Sequence, residues 1–110
     1  MKGPSSRKIT GSANEREDFD ALYDAILQLK TREECRRFFR DLCTPAELLA
    51  FAERWRAARM LHEGKLSYRE IHAETGISVT TIGRVARFLE QEPYQGYDLV
   101  LRRLKEKKKG

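Results

Sequence analysis

The sequence predicts an all-α protein. Apolar residues recur at helical spacing from Glu15 onward, several helix starts carry side-chain caps, and no stretch alternates apolar and polar residues with a period of two. At 110 residues the chain suits one domain. Its core is modest enough that helices with exposed aromatics would gain by pairing with a second copy.

Residues 1–14 carry Gly3, Pro4, Ser5, Ser6, Gly11 and Ser12 beside Lys2, Arg7 and Lys8, and read as a flexible basic arm. The helical domain is placed at 15–104. Its first helix sets Phe19, Leu22, Tyr23, Ile26 and Leu29 at i, i+3, i+4, i+7 and i+10. Thr31-x-x-Glu34 is a capping box that opens a second helix, with Cys35, Phe38, Phe39 and Leu42 on one stripe. Thr44-Pro45-Ala46-Glu47 is a stronger start. Thr44 caps, Pro45 sits where its missing N–H is harmless, and Glu47 closes the box. This third helix runs through Phe51, Ala52, Trp55, Ala58 and Leu61 to a stop at Gly64. Ser67-x-x-Glu70 opens a short fourth helix that Gly76 ends. Ser78 caps a fifth, which is expected to turn Val79, Ile82, Val85 and Leu89 inward and to end before Pro93. Leu66 with Ile71, and Ile77 with Ile82, are placed as hydrophobic staples. A sixth amphipathic helix, with Tyr97, Val100, Leu101 and Leu104, fades into a basic tail at 105–110.

Composition narrows the function classes. The net charge of +5 suits nucleic acid or an anionic surface without choosing between them. The longest near-apolar stretch, Leu48 to Ala52, is far short of a bilayer span of roughly 20 residues, so no membrane partner is expected. The polar, basic start has no apolar stretch of a secretory signal, which gives a cytoplasmic expectation. There Cys35 and Cys43 are reduced thiols. With His62 and His72 they form no CxxC or HxxxH spacing, so no metal and no cofactor are expected. Nor is there a Ser-His-Asp or Cys-His arrangement or a phosphate loop. Glu33-Glu34 and Asp18/Asp20 fall on solvent faces. The chain does not read as an enzyme.

Residues 67–90 carry the function. Two short capped helices flank Gly76-Ile77-Ser78, the arrangement of a helix-turn-helix whose second helix enters the major groove of double-stranded DNA. Thr80 and Thr81 can meet base edges, and Arg84 and Arg87 can reach phosphate or guanine. Ser78 places a hydroxyl at the positive end of the helix, where phosphates bind well. Gly83 permits close approach. No acidic residue precedes Glu90 in this helix, unlike a merely solvated face. His72 admits two readings, an outward phosphate contact or a satisfied, partly buried imidazole. Trp55 reads as a core or interface aromatic rather than a ligand-stacking one. The competing reading is a helical, dimeric interaction module that keeps the fold without binding DNA.

The chain resembles the Trp repressor family. The match rests on Thr44-Pro45, Arg54-x-Arg56, Gly64-x-x-Ser67-x-Arg69-Glu70, Glu74-x-Gly76 and Thr81-Ile82-x-Arg84, and covers roughly Glu15 to Glu90. The resemblance implies a six-helix fold whose N-terminal helices interlock across a homodimer. Phe19, Leu22, Tyr23, Phe38, Phe39 and Phe51 suit such an interface. It implies a repressor, with DNA contacts from Tyr68, Arg69, His72, Val79, Thr80, Thr81, Gly83 and Arg84. Tyr68, His72 and Gly83 depart in type from the repressor itself, so its operator sequence does not transfer.

The resemblance further implies an effector pocket beside Asp41, Cys43, Thr44, Arg54, Arg84, Val85 and Phe88. Thr44 and the two arginines match the family, whereas Asp41, Val85 and Phe88 do not. Val85 and Phe88 are expected to fill the space of the ligand ring, which argues against free tryptophan as effector and for a paralogue of the tryptophan-biosynthesis repressor.

Overall fold

A computed structural model describes residues 8–109 as six helices: α1 Ala13–Ile26, α2 Arg32–Leu42, α3 Pro45–Glu63, α4 Tyr68–Thr75, α5 Val79–Glu90 and α6 Gly96–Lys109. No strand occurs among the described residues. Lys2, Arg7 and most of the basic arm, together with Gly110, lie outside them. The chain divides into two units, one up to Leu42 and one from Cys43.

In the first unit, α1 begins earlier than the apolar periodicity indicates. Ser12 caps it by accepting the Glu15 N–H at 3.2 Å. The Glu15 carboxylate reaches back to the N–H groups of Thr10 (2.6 Å) and Gly11 (2.7 Å) and to the Thr10 hydroxyl (2.9 Å). These bonds, led by the Thr10 hydroxyl, hold its carboxyl below the usual range. At α2, Thr31 Oγ1 accepts the Glu34 N–H at 3.1 Å, but Glu34 returns to the N–H of Lys30, not to that of Thr31 (2.8 Å). The Phe38 and Phe39 rings meet edge to face at 5.5 Å. Neither helix contains a buried residue.

The second unit holds the core. α3 opens with the complete Thr44–Glu47 box (2.8 and 3.1 Å) and Pro45 in its first turn, and closes on Gly64 at φ 71°. α5 packs against α3, α4 and α6, and α3 also packs against α6. Ala57 and Ala58 of α3, Ile71 of α4, Ile77 of the turn, and Ile82 and Val85 of α5 form one buried cluster. Burying an isoleucine side chain stabilises by about 1.5–3 kcal/mol, while the two alanines let the helices approach closely. Trp55, Met60, Leu61, Leu66 and Tyr97 pack around it, with the Trp55 and Tyr97 rings 6.2 Å apart. Trp55 is therefore a core-flanking aromatic.

Two expectations change here. Val79 does not point inward: it stays 46% exposed, while Ile77, only 3% exposed, occupies the core at the entrance to α5. Leu89 is half-buried. The sixth helix does not fade after Leu104 but runs on to Lys109. Lysine and glutamate are good helix formers, and cations near a helix C-terminus offset its negative end.

Candidate nucleic-acid interface

Helices α4 and α5 and the turn between them form the candidate site. Ser67 and Glu70 cap α4 reciprocally, at 2.9 and 3.1 Å. The backbone and side-chain hydrogen bonds of Ser67 hold the Glu70 carboxyl below its ordinary range. α4 stops at Gly76, whose φ of 77° is a left-handed conformation that a side chain would strain.

Three hydrogen bonds then tie the turn to α4, and a fourth, within α4, holds the Thr75 hydroxyl that one of them uses. The Gly76 N–H donates to the His72 carbonyl at 2.8 Å. The Thr75 hydroxyl donates to the Ile71 carbonyl at 2.7 Å and accepts the Ile77 N–H at 3.0 Å. His72 Nδ1 bonds the Ile77 carbonyl at 2.7 Å. With Ile71, Ile77 and Ile82 buried beneath, the angle between α4 and α5 is fixed from both sides. Thr75 was not legible as a site residue, although a threonine directly before the stop glycine is a position from which a hydroxyl can reach back four residues.

The start of α5 is capped by a side chain as well. The Ser78 hydroxyl accepts the Thr81 N–H at 3.1 Å and donates to the Thr81 hydroxyl at 2.9 Å. The Ser78 hydrogen is thereby used, and the Thr81 hydroxyl keeps its own to donate. Ile82, Val85 and Ala86 are buried, so the opposite side of α5 faces out.

Tyr68, Arg69 and His72 on α4, Ser78 in the turn, and Val79, Thr80, Arg84 and Arg87 on α5 are all exposed; Thr81 and Gly83 are half-exposed. A Cβ at Gly83 would meet no atom within 4 Å, so the packing of this chain does not require a glycine there. The Arg84 and Arg87 guanidiniums lie 4.7 and 5.1 Å from the Phe88 ring centre. Among the described residues neither forms an ion pair with a carboxylate.

Arg54 and Arg84 meet across an open cleft of about 470 Å³, lined further by Phe88, Tyr94, Gln95, Gly96 and Tyr97. Gln95 turns the chain into α6 at φ 54° and donates its side-chain amide to the Glu92 carbonyl at 2.6 Å. Thr44, whose hydroxyl caps α3, does not line this cleft. Val85 does not fill it either: fully buried, it belongs to the core, and Phe88 alone of the two expected space-fillers reaches the cleft. Cys35 and Cys43 are free thiols. Among the described residues no three metal-ligating side chains cluster, and no helix is long and apolar enough to cross a membrane.

Comparison with known proteins agrees with this architecture. The family model for the Trp repressor protein matches residues 17–105. The Bacillus subtilis (strain 168) protein YerC, itself uncharacterized, is 47% identical over 89 residues, covering 81% of this chain and 84% of its own length. A TrpR-like protein from Eubacterium eligens superposes with a TM-score of 0.75 at 40% identity, covering 81% of this chain and 90% of that one. A candidate Trp repressor from Staphylococcus aureus gives 0.74 at 39% identity, with 81% and 87% covered.

Proposed function

Because the chain belongs to the Trp repressor family, a family of regulators and not of enzymes, we propose that it is a dimeric, sequence-specific DNA-binding transcriptional repressor. The observation that carries this reading is the division of α5. One side is buried in the core, and the other presents Thr80, the Thr81 hydroxyl, Arg84 and Arg87 with no acidic residue before Glu90. In this reading Arg69, His72 and the α5 arginines hold phosphates, while Val79, Thr80 and Thr81 meet base edges. Gly83 lets the DNA come close, and Tyr68 flanks the contact. A single helix-turn-helix spans few base pairs, so a second copy supplies the other half-site. The exposed apolar side chains of Phe19, Tyr23, Leu42 and Phe51 would be covered in that homodimer. The basic ends add affinity without sequence preference.

Free tryptophan is not the effector in this reading. The Phe88 ring already takes the face of the Arg84 guanidinium that an aromatic ligand would seek. The cleft is left as a site for a small ligand of another kind, held by Arg54 and Arg84, or for none.

Selection of bound fragments from random DNA tests the reading, since the spacing of the selected half-sites reports the dimer. The Arg84→Ala, Thr81→Ala double variant is expected to bind the selected fragment at least tenfold more weakly. One lost phosphate contact should also reduce its salt slope by about one unit. Unchanged affinity in that variant would refute the assignment of α5.

A further inference from the structure

Among the described residues the outward nitrogen of His72, set against phosphate in the DNA-binding reading, has no hydrogen-bond partner. Its ring is anchored by Nδ1, 2.7 Å from the Ile77 carbonyl. A carbonyl can only accept, so Nδ1 carries the hydrogen in every protonation state compatible with this bond. In the neutral ring Nε2 is therefore a bare lone pair. A phosphate offers only acceptor oxygens, so the neutral ring has nothing to give it. In the imidazolium form Nε2 gains a hydrogen and the ring a positive charge, and the bond to Ile77 is kept. Protonation thus adds a charge-assisted donor without loosening the turn between α4 and α5.

The surroundings favour this use of the charge. On α4, Tyr68 and Arg69 lie one turn before His72 on the same side, and helical spacing puts Glu70 and Glu74 on the other. α5, packed against α4, has Arg84, Arg87 and Glu90 as its only charged positions, and none lies in its first turn. α3 shares the core through Ala58 and carries Arg54 and His62 one turn to either side of it. Among the described residues no carboxylate pairs with His72.

We infer that His72 is a proton-gated phosphate contact, silent when neutral and engaged when charged, so that DNA binding takes up a proton at this residue. The inference rests on the DNA-binding reading above.

The test measures affinity of the full-length protein for its selected fragment from about pH 8 to about pH 5.5 at constant ionic strength. The wild type is expected to tighten about tenfold on acidification, the scale of one charge-assisted hydrogen bond. His72→Gln should be flat across the range, and His72→Lys flat and tight. Calorimetry on the wild type in buffers of different ionisation enthalpy should show net proton uptake on binding, which His72→Gln lacks. A wild-type affinity independent of pH, or a His72→Gln profile that still tightens like the wild type, overturns the gate and leaves DNA binding standing. No binding to any fragment at any pH would overturn both.

Discussion

The segments before and after Cys43 are equally helical and differ in what they bury. From Cys43 onward, Ala57, Ala58, Ile71, Ile77, Ile82 and Val85 close a core within the chain. Up to Leu42, α1 and α2 carry apolar stripes of the same kind, with no buried residue in either. Both segments have well-made caps, so capping does not separate them. Isolated helices of 14 and 11 residues are marginal in water. A helix that is capped but leaves its apolar stripe only half-buried gains from a further surface, and in the proposed dimer the second copy supplies it. The difference teaches that hydrogen bonds at helix ends say where a helix starts, whereas burial says what it is for.

The largest effect that would sharpen this contrast lies in the core. Ile82→Ala should cost about 2–5 kcal/mol of stability. In the proposed dimer its loss should persist at every protein concentration at which the chain is folded. A denaturant midpoint within experimental error of wild type would break the picture of a self-contained second unit.

Next in size is the stripe of α1. Replacing Phe19 and Tyr23 by alanine should raise the dimer dissociation constant roughly thirtyfold, on the order of 2 kcal/mol for interface aromatics. Light scattering across a dilution series reads this directly. The second unit should keep its own unfolding behaviour. An undisturbed dimer would show that α1 does not form the interface.

The smallest effect is acid sensitivity of the caps. Glu15 and Glu70 are both held below the ordinary carboxylate range by hydrogen bonds from the N-cap region. Their contribution is therefore complete above the unfolded value and is lost as pH falls through the lowered, folded one. Protection of the Thr10 and Gly11 amides, relative to their intrinsic exchange rates, should fall in acid before that of Ser67, since of these two helices only α4 is anchored by a buried residue, Ile71. Glu15→Gln should remove the first change and leave the second. Simultaneous loosening would mean that burial does not protect the second cap.

The helix starts were legible in the sequence because capping is local: Thr44, Ser67 and Ser78 bond amides three residues away. The buried cluster was legible at Ile71, Ile77 and Ile82, where staples and periodicity agree. Val79 misled because periodicity on a helix does not say where its packed length begins. Val85 was legible as a core residue from the same periodicity, whereas the resemblance set it at the effector pocket, and it does not line the cleft. The His72 bond was one of two open readings, since it depends on a carbonyl that Gly76 swings into reach. The resemblance to the Trp repressor family rested on residue motifs running from Thr44-Pro45 to Thr81-Ile82-x-Arg84.

The turn at Gly76 has a consequence for how such a regulator can change. Its geometry is held by Ile71, Thr75 and Ile77 and by backbone groups, and His72 spends only its inner nitrogen on it. Thr80, Arg84 and Arg87 add nothing to the buried cluster, and the space around Gly83 is open. Thr80, Arg84 and Arg87 can therefore be replaced one at a time at little cost to the buried cluster, unlike His72 and Thr81, which also bond the turn and the cap.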